Sequence, residues 1–245
     1  MKKRKLLVYL IVLIIFLFAI FDYAYAKKIN VGIGLSLPPY VIKENNTGME
    51  LDIVRKSLKI MGYDIKPRYV ILKNIPLIYS TKKVDCAMTV NENLDVNGFF
   101  SDEVIVYQNY AITLAENPLT INSISDLKNK EIIAFQNACK YLGKEYANIV
   151  ENNDYYFEAK NQLTQVKLLQ NKRYKIAISD INIFKYFKKQ ISKPVFDVKF
   201  HSIFPPNPYK VVFHEKKIRD KFNEGLKYLR KTGEYEYIIN SYIKD

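Results

Sequence analysis

From residue 28 onward, the spacing of apolar positions alternates between the period of a strand and the period of a helix. Residues 29–35 read as a strand, which Pro38-Pro39-Tyr40 ends in a turn. Leu51, Val54, Leu58 and Met61 fall at helical spacing, and Gly62 supplies a C-terminal stop. A second strand is predicted over 65–72, a short helix over 75–80 and a third strand over 85–90. This βαβαβ order points to an open, mainly parallel sheet with helices on its faces. A strand over 109–115 then stops at Asn117-Pro118.

A second series follows that break. It comprises a turn capped by Ser125, a strand over 131–135, a helix over 137–147 and a short strand over 155–157. A helix over 161–170, a strand over 176–179 and a helix over 181–187 complete it. Phe204-Pro205-Pro206-Asn207-Pro208 is another break, followed by a last strand over 209–213. Phe222, Leu226 and Leu229 align on a terminal helix, and 235–242 continues the helical region. The breaks bracket the second series. The expected architecture is therefore α/β with two lobes, each a mainly parallel sheet flanked by helices. Residues 27–108 and 209–245 would form lobe 1, and residues 109–208 an inserted lobe 2. Ligands in such folds sit at strand carboxyl ends and between lobes.

The first 26 residues have a different character. Lys2, Lys3, Arg4 and Lys5 precede a charge-free run over 6–21, and Ala24 and Ala26 follow. This reads as a secretory signal peptide cut after Ala26, which would place the remainder in the periplasm. The alternative is a retained membrane anchor, for which the run falls slightly short of the roughly 20 apolar residues a span needs. No cysteine follows the run, so a lipid on a new N-terminal cysteine is excluded.

Composition narrows the chemistry. Half-apolar content (49%) identifies a globular chain rather than a disordered one. The net charge of +13 comes from scattered lysines without a long basic cluster, so no nucleic-acid partner is expected. Cys86 falls in a buried-strand pattern and Cys139 just inside a helix, and both are expected to be unpaired. His201 and His214 are isolated, no Cys/His set has metal-ligand spacing, and no cofactor or metal is expected.

The order of several motifs carries a resemblance. These are Pro38-Pro39-Tyr40, Gly48-Met49-Glu50-Leu51-Asp52-Ile53, Lys83-Val84-Asp85-Cys86-Ala87, Phe100-Ser101, Ile124-Ser125-Asp126-Leu127 and Ala177-Ile178-Ser179-Asp180. Together they resemble the type II periplasmic solute-binding proteins of family 3, and within it a less characterised branch. The resemblance implies a two-lobed monomer that closes on a small molecule and docks on the membrane permease of an ABC importer, mostly for amino acids. It also implies departures. Leu94 stands where the amino-acid binders carry an arginine that clamps a carboxylate in a bidentate pair. Asn137-Ala138 replaces the usual small Gly-Ser or Gly-Thr pair.

The ligand-binding candidates are Tyr40, Glu50, Thr89, Asn91, Tyr107, Gln136, Asn137 and Asp180. Tyr40 follows two prolines at a strand end, where its ring could stack on a ligand. Glu50 opens a helix, a position that also favours an acid for dipole reasons. Thr89 and Asn91 end the Cys86 strand, and Tyr107 lies at the first lobe crossing with Gln108 and Asn109. Gln136 and Asn137 precede a helix whose start would offer free N–H groups, unless Asn137 simply caps it. The resemblance implies that Asp180 pairs with a ligand ammonium, while local sequence reads it as the cap of the next helix. The expected function is capture of a small polar metabolite without chemistry. Two alternatives stay open: a periplasmic enzyme on the same fold, dehydratase-like with Glu50 and Asp180 as an acid/base pair, and a ligand-sensing module for a membrane partner.

Overall fold

A computed structural model describes residues 27–91, 94–191 and 195–244. The segment read as a signal peptide lies outside the described residues. Among them, no helix is long and apolar enough to cross a membrane.

The chain runs β1 (Lys27–Gly34), α1 (Met49–Ile60), β2 (Tyr63–Val70), α2 (Ile75–Ser80), β3 (Cys86–Val90), β4 (Phe99–Phe100) and β5 (Ile105–Tyr107). It continues through β6 (Asn109–Leu114), β7 (Ile132–Phe135), α3 (Ala138–Tyr141), α4 (Lys144–Val150), β8 (Tyr156–Ala159), α5 (Gln162–Gln170), β9 (Ile176–Asp180) and α6 (Ile181–Lys189). It closes with β10 (Val198–His201), β11 (Asn207–Phe213), α7 (Lys216–Thr232) and α8 (Glu234–Ile243).

These strands make two sheets. The first has the order β2-β1-β3-β11-β4, with β5 on β11, and the second β10-β6-β9-β7-β8. Each has a parallel centre, β2-β1-β3 in one and β8-β7-β9 in the other. Antiparallel pairs are added by the strands that carry the chain between sheets: β11 on β3, β4 and β5, and β6 on β9 and β10. Only Gln108 separates β5 in one sheet from β6 in the other, and β10 and β11 make the return crossing.

Local sequence explains how α1 is placed. Gly48 precedes it with φ 134, a region that side chains disfavour, and a Cβ there would lie 2.4 Å from the Tyr40 carbonyl oxygen. The helix then buries Met49, Leu51, Ile53, Val54 and Leu58. Across from it, α7 buries Phe222, Leu226 and Leu229 in the same apolar cluster as Ile29, Val31 and Ile33 of β1. Each such side chain, once buried, is worth about 1.5–3 kcal/mol. The second sheet has cores of its own, one built on Ile132, Ile176, Ile178, Tyr146 and Phe204 and another on Ile133, Val166, Leu169 and Phe184.

Some elements differ from the sequence pattern. The helix expected over 137–147 is two helices, α3 and α4, because Gly143 takes φ 89 between them. The turn expected to be capped by Ser125 is capped by Ser123, in a reciprocal box with Asp126. The proline-rich break ends sooner than expected, since Asn207 and Pro208 already pair with β5. Strands β4, β5 and β10 were not anticipated: runs of two to four residues are too short to show a period. Both cysteines are free, as expected, with Cys86 buried and Cys139 partly buried.

Candidate functional site

The crossings bring the carboxyl end of β9 against the turn that follows β1. Tyr40, in that turn, is fully buried. Its hydroxyl donates to Asp180 Oδ1 at 2.8 Å and accepts from Asn182 Nδ2 at 3.1 Å. Residues 140 positions apart, attached to different sheets, are thereby joined.

Asp180 is the N-cap of α6. Its Oδ1 accepts from the N–H groups of Asn182 and Ile183 at 2.9 and 3.0 Å, and its Oδ2 from the Gln108 N–H at 2.9 Å. The cap reading of Asp180 therefore holds, and the same carboxylate also serves the contact between sheets. Burial raises its carboxyl above the ordinary range, against the opposing pull of these hydrogen bonds.

Glu50, in the first turn of α1, is also fully buried. Thr89 Oγ1 donates to its Oε1 at 2.9 Å and the Tyr107 hydroxyl to its Oε2 at 2.7 Å. Burial pushes the Glu50 carboxyl up to about 7, although both donors favour the ionised form. Thr89 takes φ 58 at the end of β3, an uncommon conformation for a β-branched residue. Among the described residues, no lysine or arginine pairs with Glu50 or Asp180.

Three tyrosine rings cover these acids. Tyr40 and Tyr107 stack with centroids 3.7 Å apart, and Tyr209 of β11 tilts against Tyr107 at 4.6 Å. Burial first, then the neighbouring carboxylates, hold the Tyr40 and Tyr107 hydroxyls protonated. Asn91 lies at the end of β3, with its amide 3.5 Å from Asn207 Oδ1.

Five of the eight candidates, Tyr40, Glu50, Thr89, Tyr107 and Asp180, thus form one connected cluster, with Asn91 on its strand-end rim. Gln136 and Asn137 stand apart: both are exposed, and no hydrogen bond links them to the cluster. The start of α3 is not open as expected, nor does the Asn137 side chain cap it. Glu158 of β8 takes that place, accepting from the Asn137 N–H at 2.6 Å, the Cys139 N–H at 3.3 Å and the Tyr156 hydroxyl at 2.7 Å. Leu94 packs with Val96 and Phe100 against Ile75, Tyr79 and Val84, in an apolar setting. Sequence reasoning missed Asn182, Tyr209 and Glu158, and no local signal marks any of them. Among the described residues, no group of His, Cys, Asp and Glu could hold a metal ion.

The family model of the bacterial extracellular solute-binding proteins, family 3, matches residues 29–245. The chain belongs to that family. Its role is therefore solute binding, as the sequence resemblance implied. No curated protein sequence matches. Solved structures share its fold. The ligand-binding core of GluR0, solved with L-glutamate, is 18% identical with a TM-score of 0.66, over 89% of this chain and 99% of that one. An ancestral cationic amino-acid solute-binding protein is 18% identical with a TM-score of 0.70, over 89% and 96%. YckB from Bacillus subtilis is 19% identical with a TM-score of 0.71, over 88% and 90%.

Proposed function

We propose that this family member is an exported protein that captures a small polar metabolite between two lobes, without chemistry, and delivers it to the membrane permease of an ABC importer. The lobes are residues 27–108 with 209–245, and residues 109–208. The observation that carries this reading is the Tyr40–Asp180 hydrogen bond, which meets across the two sheets next to the Gln108 crossing. Tyr40, Glu50, Thr89, Asn91, Tyr107 and Asp180 line the ligand side of that junction, with Gln136 and Asn137 on the facing rim. Closure is driven by contacts that the ligand makes only when the lobes meet. The protein acts as a monomer outside the cytoplasm, released by cleavage after Ala26.

Isothermal titration of residues 27–245 against a library of polar metabolites tests the reading. At least one compound should bind at micromolar strength and raise the melting temperature. A complete absence of heat and of thermal shift across the library would remove it. One observation favours a second reading: a carboxyl poised near 7, as on Glu50, suits a general acid or base. Product formation from a small carboxylic acid, abolished in Glu50→Gln, would establish that reading instead.

A further inference from the structure

A groove of about 560 Å³ runs between α6 and the start of β10 on one side and the end of α8 on the other. That volume is within the range of small-molecule sites. The Lys189 ammonium donates to the Lys244 carbonyl and ties the two walls together. Helix α6 begins at its cap, Asp180, and its nine residues span about 13 Å. The groove lies toward the far end of that helix, away from the Tyr40–Asp180 contact.

The floor of the groove is apolar. Phe196, Val198 and Phe200 come from β10 and the residues before it, and Ile243 comes from α8. Four lysines rim it: Lys185, Lys188, Lys189 and Lys244. The Lys185 ammonium lies 5.7 Å from the centroid of the Phe200 ring, and that of Lys188 lies 5.2 Å from the centroid of Phe196. Among the described residues, no aspartate or glutamate forms an ion pair with any of the four. The carbonyl end of α6 accounts for Lys188 and Lys189, which stand in its last turn. It does not account for the convergence, because Lys185 stands a turn earlier and Lys244 comes from the other wall.

This combination selects its occupant. A small inorganic anion would satisfy the lysines and leave the apolar floor wet. A neutral apolar body would cover the floor and strip water from ammonium groups that have no counter-charge, which is costly. A flat bilayer surface does not enter a concave site. A second copy of this chain brings the same cationic excess, +13 over the whole sequence, and is repelled.

We propose that the groove binds an amphiphilic anion: a single carboxylate, sulfate or phosphate head on an alkyl or aryl body. The head sits among the Lys185, Lys188 and Lys244 ammonium groups. The body lies on Phe196, Val198, Phe200 and Ile243, and each apolar group it withdraws from water adds to the affinity. The site is separate from the junction of Tyr40 and Asp180, so it does not depend on the transport reading.

Titration calorimetry of residues 27–245 near neutral pH tests this with decanoate and decyl sulfate, both below their micelle-forming concentrations. Acetate, inorganic sulfate and decyltrimethylammonium are the comparators. At least one of the two amphiphilic anions should bind at a single site, tenfold or more tightly than any comparator. The double substitution Lys185→Gln with Lys188→Gln should weaken it at least tenfold. Lys227→Gln with Lys231→Gln, which removes the same charge from exposed positions on α7, should change it less than twofold. Val195→Asp should also weaken it severalfold, because Val195 is 84% exposed and lines the groove, so folding does not need it. Equal weakening by the two lysine pairs would mean general charge attraction and would overturn the assignment. So would binding that none of the groove substitutions alters, or acetate or sulfate binding as tightly as the amphiphiles. No saturable binding of either amphiphile overturns it as well, including the case in which the protein adsorbs only to vesicles of phosphatidylglycerol. None of these results bears on solute capture at the junction, which the metabolite library tests on its own.

Discussion

Replacing Glu50 by glutamine separates the burial of a charge from the burial of a shape. The folded protein holds this carboxyl at about 7, mainly through burial, against an ordinary 4.5 to which it returns on unfolding. The folded value is the higher one, so the folded state binds the proton more tightly. The resulting stabilisation is complete below 4.5 and is lost as the pH rises through about 7. A rise of this size corresponds to roughly 3 kcal/mol lost well above neutrality. Glutamine fills the same space and stays neutral. Its amide oxygen can accept from one of the Thr89 and Tyr107 hydroxyls, and its amide N–H can donate to the other. Glu50→Gln should therefore match the parent near pH 5 and exceed it by roughly 2–3 kcal/mol at pH 8.5. Urea unfolding of both proteins at pH 5, 7 and 8.5, followed by circular dichroism, measures this. Burial raises Asp180 in the same direction, but that residue is common to both proteins and cancels in the difference. A difference that does not change with pH, or a variant less stable at pH 8.5, would refute the placement of a buried carboxylate at residue 50.

Three further outcomes are expected. Tyr107→Phe keeps the stack on Tyr40 but removes the donor to Glu50 Oε2, so it should cost about 1.5–3 kcal/mol at pH 8.5 and less at pH 5; equal losses at both pH values in urea unfolding would contradict this. Gly225→Ala places a Cβ 2.1 Å from the Ser57 carbonyl oxygen, where α7 meets α1. The helices must move apart, at a cost of about 1–3 kcal/mol, and an unchanged melting temperature would count against that contact. A thiol reagent should modify only the partly exposed Cys139 in the native protein, because Cys86 is fully buried and burial raises its thiol. Two rapidly reacting thiols before urea is added would overturn the placement of β3.

Much of the scaffold could be read from local pattern. The βαβαβ order was legible because β1, α1 and β3 alternate between strand and helix periods over enough residues to register. The return crossing coincides with the proline-rich run, because proline disrupts regular pairing, whereas the break at 117–118 follows β6 and the first crossing, at Gln108, carries no such interruption. Tyr40, Glu50 and Asp180 stood out because strand ends and helix starts are recognisable, and such ends converge in an α/β fold.

What those residues do was settled only by packing. Sequence left Asp180 divided between helix cap and ligand partner, and the fold made it a cap that also binds Tyr40, 140 residues away. Sequence left the start of α3 open to a ligand, and the fold filled it with Glu158 from the neighbouring strand. It gave no sign that Tyr209 would join Tyr107, or that Glu50 would be buried without a cationic partner. The reason is physical. Hydrophobic periodicity reports which side of an element faces away from water, a property of neighbouring residues. The distance between two side chains on different sheets depends on how whole elements pack, and burial fixes the charge state of an acid only after that packing exists.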